Sequence, residues 1–117
     1  MESPRAVLFH FCRTPMNRAM VHALFAVAMF HPCFAQAPGV LKCEPPNWWT
    51  GMKMNKIQLM VYGDHLADIT ASSSSRDLTI RRTHTIPNPT YAFIDIEVSP
   101  SAEPGDYSIT LANPHGT

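Results

Sequence analysis

Charge, cysteine and glycine are all scarce in this sequence, and each scarcity excludes something. Asp, Glu, Lys and Arg make up 15% of 117 residues, nine basic against nine acidic. Nothing in that balance attracts nucleic acid electrostatically. Of three cysteines only Cys43 lies beyond residue 35, so residues 36–117 hold neither a disulfide framework nor a cysteine zinc site. There is no glycine-rich phosphate loop and no nucleophile elbow. Eleven prolines argue against a long helix or a coiled coil, and after Ala35 no window shows an apolar period of 3.6 residues. The length allows one domain.

The first 35 residues differ from the rest. Arg5, Arg13 and Arg18 face one acid, Glu2, and five of the six Phe fall here. Ala19 to Phe30 is an apolar run broken only by His22, followed by Pro32 and small residues at Ala35 and Ala37. A basic start, a short apolar stretch and a small-residue site describe a secretory signal peptide. The run is short of the roughly 20 apolar residues that span a bilayer, so a membrane partner is expected only during export. A short anchor or a buried helix is the alternative. Met16 could be the start, since Met16-Asn17-Arg18 supplies a compact basic end. Cleavage is placed after Ala35 in preference to Ala37, which would leave Pro38 first. The helical leader is therefore 1–35 and the folded domain 36–117, with six bases against eight acids. Such a chain is exported, to the periplasm or outside the cell.

Residues 36–117 read as an antiparallel β-sandwich. Ile57, Leu59 and Val61 alternate with Gln58, Met60 and Tyr62, and Gly63-Asp64 ends that run. Ile69 to Ala71 is a short strand before Ser72 to Ser75, a loop or edge. Leu78 to Ile80 opens a strand toward Ile86. Pro87-Asn88-Pro89 interrupts. Tyr91 to Val98 is the clearest strand, with Ala92, Ile94, Ile96 and Val98 on one face. Pro104-Gly105 is a tight turn, and Tyr107, Ile109 and Leu111 mark one more strand. Five or six strands fall short of the seven of an immunoglobulin-like sandwich. The chain stops just after a strand, so the sandwich is expected to lack its C-terminal strand and to expose an edge.

The string Glu44-Pro45-Pro46-Asn47-Trp48-Trp49-Thr50-Gly51-Met52, followed by Leu59-Met60-Val61-Tyr62-Gly63, resembles the N-terminal domain of cyclomaltodextrinases and neopullulanases, α-amylase-family glycoside hydrolases. Pro87 to Asp95 and Pro104 to Tyr107 are similar to that domain's later strands, in the same order. The resemblance runs from about Val40 to Leu111. It implies an immunoglobulin-like sandwich standing before a (β/α)₈ barrel. It also implies a parent enzyme that cleaves α-1,4 links in cyclodextrins, pullulan or maltodextrins with retention of configuration. The implied partners are the enzyme's own barrel, an α-glucan, and a second subunit whose cleft the domain can shape. The catalytic carboxylates lie on the barrel, which needs about 250 residues, so this chain is expected to carry no catalytic residue, metal or cofactor and to be a fragment of the longer enzyme.

Trp48 and Trp49 are the candidate carbohydrate contacts, because an exposed indole offers a flat face to a sugar ring. The alternative is that one packs in the core and the other against the barrel. Neighbours on a strand point to opposite faces, so both cannot stack on one ligand without a bend. Asp95 and Glu97 share a strand face at a separation compatible with paired glycosidase carboxyls, but a solvated polar face is the simpler reading. His65, His84 and His115 make no metal spacing, and Pro89 spoils Asn88-Pro89-Thr90 as a glycosylation site. Met52, Met54 and Met60 alternate like packing residues, and Cys43 reads as a small buried one.

Overall fold

A computed structural model of the chain describes residues 6–11 and 36–117. The apolar run Ala19–Phe30 and the cleavage position at Ala35 lie outside the described residues. Eight strands appear: β1 (Ala6–Phe11), β2 (Gly39–Glu44), β3 (Asn47–Trp49), β4 (Lys56–Asp64), β5 (Thr70–Ser72), β6 (Leu78–Thr85), β7 (Tyr91–Val98) and β8 (Gly105–Ala112). They form two four-stranded sheets, ordered β2-β4-β7-β6 and β3-β1-β8-β5. The described residues contain no helix. The fold is an immunoglobulin-like sandwich.

β7 organises the first sheet. Its alternate residues Ala92, Ile94, Ile96 and Val98 are all buried, as the sequence pattern predicts. It pairs antiparallel with β4, placing Leu59 opposite Ile94 and Val61 opposite Ala92. These side chains meet Ile109 and Leu111 of β8 and Val7 and Phe9 of β1 in one core. Burying each large apolar side chain contributes about 1.5–3 kcal/mol. Tyr107 closes the corner between β7 and β8, its hydroxyl donating 2.7 Å to the carbonyl of Glu103. A tyrosine bonded to backbone a few residues upstream at this corner is a known device of immunoglobulin-type sandwiches.

β6 shows why regular alternation is not enough. Leu78 is buried and Ile80 half-buried facing the core; strict period two would next turn Arg82 and His84 inward. A bulge between Ile80 and Arg82 shifts the phase by one residue. Thr83 then lies opposite inward Ile94, while Arg82 and His84 lie opposite outward Asp95 and Phe93. A guanidinium and an imidazole are thereby kept from an apolar interior, which explains the extra residue at Arg81.

The structure differs from the sequence expectation in three places. β2 and β3 are split by Glu44-Pro45-Pro46, where the chain passes from one sheet to the other and Glu44–Pro45 is cis. β4 runs through Gly63-Asp64 instead of ending there, because Val40 and Gly39 of β2 pair with those residues. The third is β1, which lies inside the segment read as a leader. Its alternation, with Val7 and Phe9 buried and Leu8 exposed, was hidden by the apolar, basic composition around it. β1 covers the edge of β8 that the sequence reading leaves open, pairing parallel to it from Val7–Gly105 to Phe11–Ile109.

Candidate functional site

The two tryptophans sit on β3, which pairs antiparallel with β1: Trp48 opposite Val7 and Trp49 opposite Ala6. Trp48 is half-buried and packs against the core. Its indole N–H donates to the Met54 carbonyl at 2.8 Å, closing the loop that follows the strand. Gly51 turns that loop at a φ of 71°, a left-handed conformation that favours glycine. Trp49 faces the other way and keeps 43% of its surface exposed. The rings meet edge-on, centroids 5.8 Å apart at 61°, so they offer no continuous stacking platform. Trp49 alone presents an open ring. Met52 and Met54 share the adjoining loop and are exposed, which corrects their reading as strand packing: they lie beyond β3 and before β4, outside any alternation. Met60 does lie on a strand and is half-buried.

The outward face of the first sheet is graded from aromatic to charged. Tyr62 and Tyr91 are direct partners, with ring centroids 5.0 Å apart. Met60 and Phe93 follow, then Gln58 and Asp95, then Lys56 and Glu97. The amide of Gln58 donates to one Asp95 oxygen at 2.8 Å, and the His84 ring meets the other at 2.6 Å. Arg81, freed by the bulge, donates twice to Glu97. His84 holds the Asp95 carboxyl below its ordinary value, with Gln58 assisting. Arg81 does the same for Glu97. A glycosidase acid needs a carboxyl that stays protonated near neutral pH. Both carboxyls here are shifted the opposite way, so this face is an ion-paired surface. The sequence identified the two acids but not their partners, because His84 and Arg81 reach them only through the bulge register.

Cys43 is half-buried, with its thiol pushed up to about 11 chiefly by burial; its Sγ lies 3.8 Å from the Pro45 carbonyl. His65 and His115 are exposed. Among the described residues, no group of three His, Cys, Asp or Glu side chains is placed to hold a metal ion.

A family model described as "Cyclomaltodextrinase, N-terminal" matches residues 42–117. That span takes in the end of β2 and every strand from β3 to β8, and it is well over half of the chain. The match contains the tryptophan corner and the graded sheet face, and the chain belongs to the family of cyclomaltodextrinase N-terminal domains.

Proposed function

We propose that this chain is the accessory N-terminal domain of an exported glycoside hydrolase that acts on α-1,4-glucans such as cyclodextrins, pullulan or maltodextrins. The reaction belongs to a catalytic barrel outside this sequence. The family match over residues 42–117 carries the reading. The ion-paired state of Asp95 and Glu97 supports it, since neither is set up as a general acid. The domain's work is mechanical: it buttresses the barrel and helps shape a cleft, in its own subunit or a second one. The corner of Trp49, Met52 and Met54 suits such a contact, being apolar and exposed where β3 runs into the following loop. Export rests on the basic, apolar leader pattern of the first 35 residues.

Trp49 favours one other reading, a stand-alone module that stacks a sugar on that single ring. One set of experiments separates the two. The purified chain is incubated with β-cyclodextrin, and released glucose and maltose are measured; none is expected, and steady turnover would overturn the accessory role. The same chain is titrated with maltoheptaose while tryptophan emission is followed. The accessory reading expects no change up to millimolar sugar. A saturable change lost in Trp49→Ala but kept in Trp48→Phe would establish the sugar-binding module instead.

A further inference from the structure

Gln36 opens the described span of residues 36–117, and it is tied to the other end of that span. The side-chain amide of Asn113 donates to the Gln36 carbonyl at 2.8 Å and to the His65 carbonyl at 3.1 Å. Its Oδ1 accepts from the His115 amide at 2.8 Å, inside a turn that Asn113 and Gly116 close main chain to main chain. Ala37 lies against the same turn, since a Cβ on Gly116 would stand 3.5 Å from the Ala37 Cβ. One side chain thus joins the start of the domain, the loop after β4 and the turn after β8. The first residues of a domain stay poorly ordered unless they are tied down. Here the tie is made through the main-chain carbonyl of Gln36, and the residue itself is exposed.

The export reading makes this residue an N-terminus. Cleavage after Ala35 frees an α-amine within reach of its own side-chain amide, the geometry that closes a lactam ring. An α-amine ordinarily titrates at about 7.7–8.0, so near neutral pH part of the population has its lone pair available for attack. An exposed residue leaves that side chain free to fold back on its own nitrogen.

We propose that Gln36 is a modification site, and that once the leader is cut after Ala35 the new terminus closes to pyroglutamate. The α-nitrogen attacks Cδ of its own side chain. The N–Cδ bond forms, the Cδ–Nε2 bond breaks, and a proton from the α-nitrogen leaves with the departing ammonia. No other reactant is consumed. The ring keeps the main-chain carbonyl, so the acceptor of Asn113 is retained. It removes the terminal charge and blocks aminopeptidases, which would otherwise trim away the residue that anchors Asn113. The inference rests on the export reading, and its failure is separable from the failure of that reading.

The test uses the full chain with a C-terminal affinity tag, expressed in an exporting bacterial host. The protein is recovered from the exported fraction in acidic guanidinium. Acid keeps the amine protonated, so no ring closes during handling. The denaturant makes recovery independent of folding, since processing also removes β1. Intact mass and stepwise N-terminal degradation are read on the same sample. The expected chain begins at residue 36, is lighter than its sequence by one molecule of ammonia, and is blocked to degradation. Gln36→Ala should be cut at the same place, show no mass loss and be open to degradation. A chain that begins at Gln36 with unaltered mass and an open terminus overturns the ring closure and leaves the export reading standing. A chain that begins at Pro38 overturns the ring closure by placing the cut after Ala37. A chain that keeps residues 1–35 overturns both.

Discussion

Gly63 is the position where one added carbon tests the packing of the first sheet. β2 crosses β4 with Val40 opposite Gly63 and Gly39 opposite Asp64. A Cβ on Gly63 would lie 1.8 Å from the Gly39 carbonyl oxygen and 2.9 Å from its carbon. Both neighbours are backbone, so no side chain can rotate away. Restoring an ordinary contact moves β2 by roughly 1.5 Å, given carbon contact distances near 3.5 Å. That displacement breaks about two ladder hydrogen bonds, each worth ~1 kcal/mol net, and adds overpacking strain of about 1–3 kcal/mol. Alanine's smaller unfolded-state entropy returns only ~0.4–1 kcal/mol. Gly63→Ala should therefore lower stability by about 2–4 kcal/mol, or some 10–25 °C in Tm for a domain of this size. Gly105→Ala is the control. It has no atom within 4 Å of the new carbon, and it should be neutral or slightly stabilising. Urea unfolding followed by tryptophan emission measures both. A Gly63→Ala protein within ~0.5 kcal/mol of the parent would refute the close approach of β2 to β4.

Two further predictions concern ionisation. Asp95 is held below its ordinary value by His84 and Gln58. Between the lowered folded value and the ordinary one near ~3.9, the unfolded chain binds more protons, so stability rises with pH there. The contribution is complete above about pH 4 and is lost as acidification passes through the folded value; Asp95→Asn should flatten that acid limb in denaturation at pH 2–5, and an unchanged limb would contradict the pairing. Cys43, with its thiol pushed up to about 11, should react with a disulfide reagent at pH 8 about 100-fold more slowly than a free thiol. In a chain with Cys12→Ser and Cys33→Ser the native and unfolded rates can be compared, and equal rates would refute its burial.

The parts of the fold that sequence reveals are those where period two survives uninterrupted. β7 is the clearest case: its inward and outward residues alternate from Tyr91 to Val98, and the strand bounds coincide with the pattern. β4 is nearly as plain, except that its last two residues belong to the strand only because β2 lies over them. Glycine and aspartate look like a turn locally, and a partner elsewhere in the chain overrides them. In β6 the alternation changes phase, and its mark in the sequence is two consecutive arginines directly after inward Ile80. The site divides the same way. Trp48 and Trp49 are visible as residues, and opposite faces follow from their being neighbours. Which of them is open depends on β1, since Val7 and Ala6 set their surroundings.

β1 carries the strongest argument about what a composition can conceal. Export signals and central strands both require consecutive apolar residues, so hydrophobicity alone does not separate them. Within β1 the burial alternates. Val7 and Phe9 fall two apart and are buried, whereas the intervening Leu8 keeps 39% of its surface. The pleat of a strand produces that alternation. Removing the two buried side chains from the sandwich would subtract about 3–6 kcal/mol of apolar burial. A small domain has ~5–15 kcal/mol of stability in total. Aspartate at Val7 and Phe9 should therefore lower the urea midpoint of the full chain clearly, and an unchanged midpoint would refute their place in the core.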